Sequence, residues 1–533
     1  MKLSDYLAQE LAKEVTHIFV GNGGVVIHIL DSLAKTKGIT LVPMQTEQGA
    51  AIAAESYARL AGFGVAIATS GPGFCNLIQG IACAYYDSIP TLFIVGGVPR
   101  SHQRTDTCLR QFGFQEMDVL GAVAGFTKRA ERLNQACEIH TTLPRLIAIA
   151  KGDRPGPVLL EIPDDVQREI LYDRRPEPPC LTYRSPLLIT EAISAPMEIM
   201  RAKRPLIIFG AGARPAHAQL KQLFTKLQIP FMPTWATKDM FKSTLANYVP
   251  CGGVSSSIAG NIIMQKADLI IALGARLDTH QIGSKYKEFA PGAKKIIVDI
   301  DAQELDKYPY DIDNDIRIRA HAEDFIQALT NSPELKKQKV WKTWKSFCTR
   351  VKYAHTTIRK DEPYKQFQAL SNQLKEGDIV ITDAGATLTW TMQALDIKKE
   401  NIRLYSAFNH SPMGYALPAA IGAAFACPES RVICITGDGG FMMNVQELAT
   451  IDYHDLGIEI YIVDNQGYGI IRQTQDTWLD GRHTCAGPDS GLANSNLQEI
   501  ANAFNVSINI WKIKPGAKIK PKLKWGQKLE EIR

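Results

Sequence analysis

Short apolar, β-branched runs alternate with stretches of helical periodicity along almost the whole chain. The runs lie at 17–20, 40–44, 64–69, 90–96, 158–162, 205–209, 267–273, 295–300, 378–382, 431–436 and 458–464. Strands that are separated by helices are typical of parallel sheets covered by helices on both faces. The sequence therefore predicts an α/β fold built from three doubly wound parallel-sheet domains in series.

Polar stretches divide this pattern. We predict an N-terminal domain over residues 1–172, a middle domain over 185–335, a C-terminal domain over 360–511 and a basic tail over 512–533. A polar, proline-containing linker at 173–184 separates the first two domains. A segment rich in lysine and containing tryptophan, at 336–350, is expected to form a helix that leads out of the middle domain.

The composition excludes several classes of protein. A chain of 533 residues that is 45% hydrophobic is too apolar to be disordered. No apolar run approaches the roughly 18 residues of a membrane span, and the first residues are amphipathic and acidic, which is unlike a signal peptide. We therefore expect a cytoplasmic protein with no membrane partner. Its ten cysteines form no CxxC pair, so reduced thiols are expected.

The net charge of +5 is concentrated at the C-terminus. Residues 512–533 hold seven Lys and one Arg against two Glu, which leaves 52 basic and 53 acidic residues in the rest of the chain. A nearly neutral body gives no reason to expect a nucleic-acid partner. The tail is predicted to be solvated; the alternative is a lid over one end of a site.

A glycine turn that carries an acid is the most informative motif. Gly437-Asp438-Gly439-Gly440 follows one apolar run, and Asn465 follows the next. Parallel neighbouring strands lie about 4.8 Å apart, so Asp438 and Asn465 should meet at the carboxyl edge of a sheet. Their oxygens suit Mg²⁺ completed by phosphate oxygens, and a helix amino end beside them favours an anion. The motif predicts a magnesium-bound diphosphate; the alternative is an ordinary polar helix cap.

A second acid occupies a similar position in the first domain. Glu47 follows the run at 40–44 and begins an alanine-rich helix. This placement is compatible with a catalytic group at a sheet edge. It is equally compatible with a helix-start residue, because the helix macrodipole favours a negative charge there.

Together these segments resemble those of thiamine-diphosphate-dependent enzymes and, among them, the acetolactate synthases. The resemblance is carried by residues 46–48, 70–73, 84–90, 111–118, 411–422 and 437–440 with Asn465. It implies a pyrimidine-binding, a middle and a diphosphate-binding domain, in that order. It also implies that Asp438, the Asn465 side chain and the Gly467 carbonyl hold Mg²⁺, which in turn holds the diphosphate of thiamine diphosphate.

The resemblance assigns the remaining cofactor contacts. Glu47 would hydrogen-bond the aminopyrimidine ring and control its protons, Met413 would be the apolar wedge beneath the bent cofactor, and the Ser411 carbonyl would accept from the exocyclic amine. Further cofactor contacts are expected from Gly24, Gly73, Gly385, Ala386, Thr387, Gly437, Gly439, Gly440 and Tyr468. In the family the two cofactor-binding domains meet across a subunit interface, so Glu47 and Asp438 of one chain would serve different sites. A homodimer is then the minimum active unit, and tetramers are common.

Other residues bear on substrate. Gln115 lies in a segment that resembles the substrate-proximal Phe-Gln-Glu of acetolactate synthases. Asp164 stands where those enzymes have a lysine, and Thr474 where they have a tryptophan that shapes the acceptor pocket. The smaller residue suggests a bulkier acceptor, such as a keto-sugar. His410 could move a proton during carboligation, or it could make only a structural polar contact.

A flavin is a separate question. Arg154, Gly210, Gly212 and Arg276 lie in stretches that resemble those contacting flavin or substrate in the family. The glycine turn lacks the third glycine of a dinucleotide fingerprint, so the sequence leaves FAD open.

The function implied is a decarboxylating carboligase that depends on thiamine diphosphate and magnesium. It would decarboxylate a 2-oxo acid, with pyruvate as the first candidate, and transfer the two-carbon unit to an acceptor carbonyl. Two alternatives remain: a simple 2-oxo-acid decarboxylase, and a cofactor-binding protein without catalysis.

Overall fold

The structure is a computed structural model. It describes residues 1–106, 108–172, 194–307, 315–336, 341–355, 361–524 and 526–532. The predicted linker at 173–184 lies outside the described residues. No helix in the described part is long and apolar enough to cross a bilayer.

The N-terminal part forms a six-stranded sheet in which all neighbouring strands are parallel, in the order β2-β1-β3-β4-β6-β5. Its strands are β1 His17–Val20, β2 Thr40–Pro43, β3 Gly64–Ala68, β4 Thr91–Gly97, β5 Arg129–Arg132 and β6 Val158–Pro163. Its helices are α1 Leu3–Leu11, α2 Ile27–Ala34, α3 Glu47–Ala61, α4 Pro72–Asp87, α5 Val119–Val123, α6 Ile139–Lys151 and α7 Asp164–Gln167.

The middle part forms a five-stranded parallel sheet, in the order β11-β10-β9-β7-β8. Its strands are β7 Pro205–Phe209, β8 Phe231–Pro233, β9 Leu269–Leu273, β10 Lys294–Asp299 and β11 Ile316–Arg319. Its helices are α8 Ala195–Arg201, α9 His217–Leu227, α10 Ile258–Lys266, α11 Thr279–Ile282, α12 Ala302–Asp306 and α13 Ala322–Asn331, and α14 Lys342–His355 leads out of it, close to the predicted helix.

The C-terminal part forms a second five-stranded parallel sheet, in the order β13-β12-β14-β15-β16. Its strands are β12 Ile379–Thr382, β13 Arg403–Tyr405, β14 Val432–Gly437, β15 Ile458–Asp464 and β16 Ile508–Lys512. Its helices are α15 Tyr364–Gln373, α16 Gly385–Ala394, α17 Ala416–Ala426, α18 Asp438–Met443, α19 Leu448–Tyr453, α20 Gly469–Trp478 and α21 Leu497–Ala503.

The predicted α/β class, with three parallel sheets in series, is confirmed. The N- and C-terminal sheets share one hydrophobic core, because the alanine-rich helices α3 and α17 pack closely against each other. The middle sheet has a separate core of its own. Two sheets joined through α3 and α17 place the ends of β2 and β14 in one rigid unit.

The basic tail is not solvated, and the prediction that it would be is wrong. Ile519 and Leu523 are buried, and Leu529 and Ile532 join the core of the middle sheet. The Leu523 amide donates to the Val254 carbonyl at 2.8 Å. Lysines alternate with apolar residues here, so the charged side chains point outward while the apolar ones attach the C-terminal sheet to the middle one.

Candidate active site

Two polar residues lie side by side where β14 and β15 end. Gly437, the last residue of β14, is paired in register with Val463. Asp438 then begins α18, and Asn465 follows β15 directly. Both side chains are buried, at 8% and 4% relative exposure, so neither of them is an ordinary surface cap.

The Asp438 carboxylate is held at both oxygens. Its Oδ1 accepts from the Gly439 amide at 2.8 Å, and its Oδ2 accepts from the Gly467 amide at 2.7 Å. Burial nevertheless raises the pKa of Asp438 to about 6, because the charged form is desolvated. A buried carboxylate of this kind is stabilised in its charged form by a cation.

The Asn465 side chain completes a cluster of oxygen ligands. One end of its amide lies 2.7 Å from the Gly467 carbonyl oxygen and 3.3 Å from Asp438 Oδ1. With the nitrogen turned inward, the amide donates to both oxygens. With the oxygen turned inward, three oxygens converge, and only a cation makes that arrangement favourable. This donor set fits Mg²⁺, which prefers oxygen ligands and keeps phosphate and water in its remaining positions.

A large cavity opens in front of this cluster. Its volume is about 1400 Å³, and all three sheets contribute to its walls. The C-terminal sheet contributes Gly385, Ala386, Thr387, Ser411, Met413, Gly437, Asp438, Gly439, Gly440, Asn465, Gly467 and Tyr468. All of the cofactor contacts expected from the C-terminal domain therefore line one cavity.

The segment that carries Ser411 and Met413 is supported by a buried acid. Asp383 follows β12 and accepts from the Gly414 amide at 3.0 Å and from the Thr436 hydroxyl at 2.9 Å. Burial raises the pKa of Asp383. Ser411 itself has a left-handed φ of 52°. Asp383 thus connects β14, which leads into the Gly437–Gly440 turn, with the segment that carries Ser411 and Met413.

Glu47 lies at the end of β2, in a space that glycines keep open. A Cβ added to Gly21 would come within 2.2 Å of Glu47 Cγ, and one added to Gly73 within 3.3 Å of Glu47 Oε1. The Asn76 amide donates to Glu47 Oε2 at 2.9 Å. Glu47 is partly exposed, and in the described part of the chain it does not line the large cavity.

Two other expected residues lie at the same edge as Glu47. Gln115 has a left-handed φ of 63°, and its backbone lies against Gly71 at the end of β3. Gly24 is exposed at the end of β1 and has no atom within 4 Å of its Cβ position. The N-terminal half of the expected constellation is therefore grouped around Glu47, apart from Asp438.

His410 lies where the C-terminal part of the chain meets the end of α4. Its ring stacks on Tyr86, with the ring centres 5.6 Å apart and the planes 10° from parallel. Desolvation lowers the pKa of His410 although Asp87 lies nearby, which favours the neutral imidazole. The adjacent Phe408, Asn409 and Ser411 line the large cavity.

The two residues expected to shape an acceptor pocket lie elsewhere. Asp164 accepts from Arg168 at 2.9 Å and lies 3.8 Å from His28. The Thr474 hydroxyl donates to the Ile470 carbonyl at 2.9 Å on an exposed face of α20. Neither of them lines the large cavity within the described part of the chain, so an acceptor pocket built from both stays a prediction.

The four flavin candidates line the middle-sheet end of the same cavity. Gly210 and Gly212 form the turn after β7. Arg154 donates to Asp301 at 2.7 Å and to Glu304 at 3.0 Å, and Arg276 donates to Glu304 at 3.2 Å. Both guanidinium groups are therefore already paired with acids of α12 and its N-cap.

Comparison with known proteins agrees with this geometry. The model described as "Thiamine pyrophosphate enzyme, N-terminal TPP binding domain" matches residues 1–122, the central-domain model matches 194–329, and the C-terminal TPP-binding-domain model matches 383–531. The chain belongs to the thiamine pyrophosphate enzyme family. Thiamine pyrophosphate is the same cofactor as thiamine diphosphate.

Relatives within this family are acetolactate synthases. The large subunit from Porphyra purpurea is 33% identical over 517 residues, which is 92% of this chain and 84% of the relative. The isozyme 1 large subunit from Escherichia coli (strain K12) is 33% identical over 482 residues, 89% of this chain and 83% of the relative. The isozyme 2 large subunit from the same organism is 34% identical over 510 residues, 93% and 88% respectively. The chain is an acetolactate-synthase-like enzyme.

Sequence reasoning missed residues that join the domains of this family member. Asp87, the last residue of α4, accepts from the Phe408 amide at 2.9 Å, from the Asn409 amide at 3.1 Å and from Arg59 at 2.6 Å. Glu447 accepts from the Thr46 amide at 3.1 Å, next to Glu47. Each partner lies more than 300 positions away in sequence, except Arg59, so no local pattern could have indicated these contacts.

Proposed function

We propose that this chain is a decarboxylating carboligase that depends on thiamine diphosphate and Mg²⁺. It would decarboxylate a 2-oxo acid, with pyruvate as the first candidate, and transfer the two-carbon unit to an acceptor carbonyl. The observation that carries the proposal is the cluster of Asp438, Asn465 and Gly467 oxygens at the wall of a cavity that the expected cofactor contacts line. The names of the acetolactate synthase relatives support the reaction class.

In this proposal the C-terminal sheet holds the diphosphate. Asp438, the Asn465 amide oxygen and the Gly467 carbonyl would bind Mg²⁺, and the amino end of α18 would face the phosphates. Ser411 and Met413 would orient the rest of the cofactor, because Asp383 holds their segment in place. When bound, thiamine diphosphate supplies a thiazolium that accepts the electron pair released on decarboxylation.

Glu47 would supply proton control. Its carboxylate would hold a proton at the pyrimidine ring nitrogen, as general acid-base catalysis requires. Within one chain Glu47 is outside the cavity of Asp438. We therefore propose that two copies complete each site, with Glu47 from one copy facing the cavity of the other.

The reaction is tested with carbon-13-labelled pyruvate, thiamine diphosphate and Mg²⁺, in the presence of separate acceptors. We expect labelled carbon in a product that is two carbons longer than the acceptor. We also expect a keto-sugar or another ketone to be a better acceptor than pyruvate, because Thr474, on an exposed face of α20, would leave more room in a site completed by a second copy than a large aromatic residue would. If labelled acetaldehyde is the sole product with every acceptor, the carboligase proposal is wrong and the chain is a simple decarboxylase. Better turnover with pyruvate as acceptor would contradict the proposed acceptor class.

A flavin is proposed for the middle-sheet end of the cavity. The cavity, at about 1400 Å³, exceeds the roughly 300–1,000 Å³ of an ordinary ligand site, so it has room for a second ligand beside the diphosphate. Gly210 and Gly212 permit close approach, and Asp299 at the end of β10 could accept from a ribose hydroxyl. Purified protein should then show flavin absorbance that Gly212→Val removes; colourless protein that gains no flavin on incubation with FAD would contradict this.

A further inference from the structure

A buried arginine donates to the backbone of the turn that follows β15, residues 465–467, which we call the metal turn. Arg472, on α20, is only 9% exposed. Its Nη1 donates to the Asn465 carbonyl at 3.2 Å and its Nη2 donates to the Gln466 carbonyl at 2.6 Å. In the described part of the chain no carboxylate forms an ion pair with it, so its direct partners are backbone carbonyls, and its charge also favours the ionised form of the nearby Asp438.

The turn that Arg472 grips has an unfavourable backbone conformation. Gln466 has a left-handed φ of 56°, and Gly467 has a φ of 134°. A non-glycine residue in the left-handed region is unfavourable and persists only where its surroundings hold it. While the carbonyls of Asn465 and Gln466 accept from Arg472, the Asn465 amide group lies 3.3 Å from Asp438 Oδ1 and 2.7 Å from the Gly467 carbonyl oxygen.

The guanidinium fills a slot that two glycines leave open. A Cβ on Gly487 would come within 1.6 Å of Arg472 Nη2, and one on Gly467 within 2.9 Å of the same atom. The space left by the two missing side chains is filled by the planar guanidinium group. A lysine would offer a single ammonium in place of the fork.

The same guanidinium reaches the tail. Nη1 also donates to the Pro515 carbonyl at 3.3 Å, just after β16. The next residue of α20, Gln473, pairs with the Ile519 backbone through two hydrogen bonds, of 3.0 and 2.8 Å. Gln473 therefore binds the tail without touching the metal turn, whereas Arg472 contacts both.

We infer that Arg472 is a positioning residue for the magnesium site: it sets the direction of the Gly467 carbonyl and of the Asn465 amide without itself contacting metal or cofactor. This inference rests on the proposed magnesium and thiamine diphosphate site and adds to it a residue outside the ligand set. Groups that orient metal ligands typically change metal affinity by about 10- to 100-fold when they are removed.

The test is calorimetric titration of thiamine diphosphate into the full-length protein at a series of Mg²⁺ concentrations, without substrate. For Arg472→Met we expect the Mg²⁺ concentration that supports half-maximal binding to rise about 10- to 100-fold, and for Arg472→Lys a smaller rise. Gln473→Ala is the matched control: it loses two contacts to the tail, and its Mg²⁺ requirement should stay close to that of the wild type. The melting temperature of each protein without ligands separates loss of stability from loss of metal binding.

The outcomes are distinct. If Arg472→Met lowers the melting temperature but leaves the Mg²⁺ requirement unchanged, Arg472 is structural only and the inference is overturned. A shift of equal size in Gln473→Ala would assign the effect to tail docking and would also overturn it. If the wild type binds thiamine diphosphate without Mg²⁺, the proposed metal site and this inference are both overturned. If only the proposed carboligase reaction fails, the metal site and the inference still stand, because the titration contains no substrate.

Discussion

The two halves of the proposed site differ in how completely one chain builds them. The Asp438 half is buried and lines a large cavity, and the residues proposed as metal ligands follow adjacent strands of one sheet. The Glu47 half is partly exposed, lies among glycines, and is outside that cavity in the described part of the chain. One chain therefore builds the Asp438 half completely. The Glu47 half is left open on its exposed side, where a second copy of the chain would complete it. This difference predicts that metal binding and proton control can be disrupted separately.

The largest expected effect is on turnover. Glu47→Gln keeps the size of the side chain and the contact to Asn76 but removes the acid, so turnover should fall by about 10²- to 10⁴-fold. Binding of thiamine diphosphate should persist, because the Asp438 half is intact. Steady-state kinetics and calorimetry on the same preparation measure the two quantities, and equal turnover by variant and wild type would remove Glu47 from the mechanism.

Asp438→Ala should mainly weaken cofactor binding, whereas Glu47→Gln should mainly lower turnover. It removes a proposed metal ligand that also orders the turn, since Asp438 accepts from both Gly439 and Gly467. The loss of Mg²⁺-dependent cofactor binding should exceed the roughly 100-fold that marks the upper range for supporting groups. Turnover at saturating cofactor would recover in part if the loss is in binding alone. Unchanged binding would mean that the three-oxygen cluster is not the metal site.

A third change tests the link between the halves. Helix α4 runs from the region of Glu47 to Asp87, which holds the backbone before Ser411. Asp87→Ala leaves Arg59 with Glu55 as its remaining acid and should lower the free energy of unfolding by about 1.5–3 kcal/mol, the usual range for hydrogen bonds to charged groups. Denaturant unfolding measures this, with the exposed Asp452→Ala as the matched control. A variant as stable as this control would show that Asp87 contributes little.

The inner strands were predictable from sequence, and several edge strands were not. The inner strand β7 is a continuous apolar run and the inner strand β15 is rich in isoleucine, and the predicted bounds of both match the structure. The missed strands β5, β8, β11, β13 and β16 all lie at open edges of their sheets. β5 reads Arg-Ala-Glu-Arg and has no fully buried residue, so it carries no hydrophobic signal.

The same distinction applies to the site. Asp438 and Asn465 could be predicted to meet because strand ends at one sheet edge are neighbours, and that geometry needs only local sequence. Arg472 and Glu447 act through backbone groups whose position depends on tertiary packing, and the tail was mispredicted for the same reason. Its lysines dominate the composition, but Ile519 and Leu523 decide where it packs.

Dimers that combine two different variants test most directly whether Glu47 and Asp438 of one site come from one copy or from two. If each site takes Glu47 from one copy and Asp438 from the other, a heterodimer of Glu47→Gln with Asp438→Ala has one intact site and should show about half of the wild-type activity. A heterodimer of the wild type with the double variant then has one defect in each site and should be nearly inactive. Co-expression with two different affinity tags gives both species. If the halves belong to one chain, the pattern reverses, because only the second heterodimer then keeps a complete site.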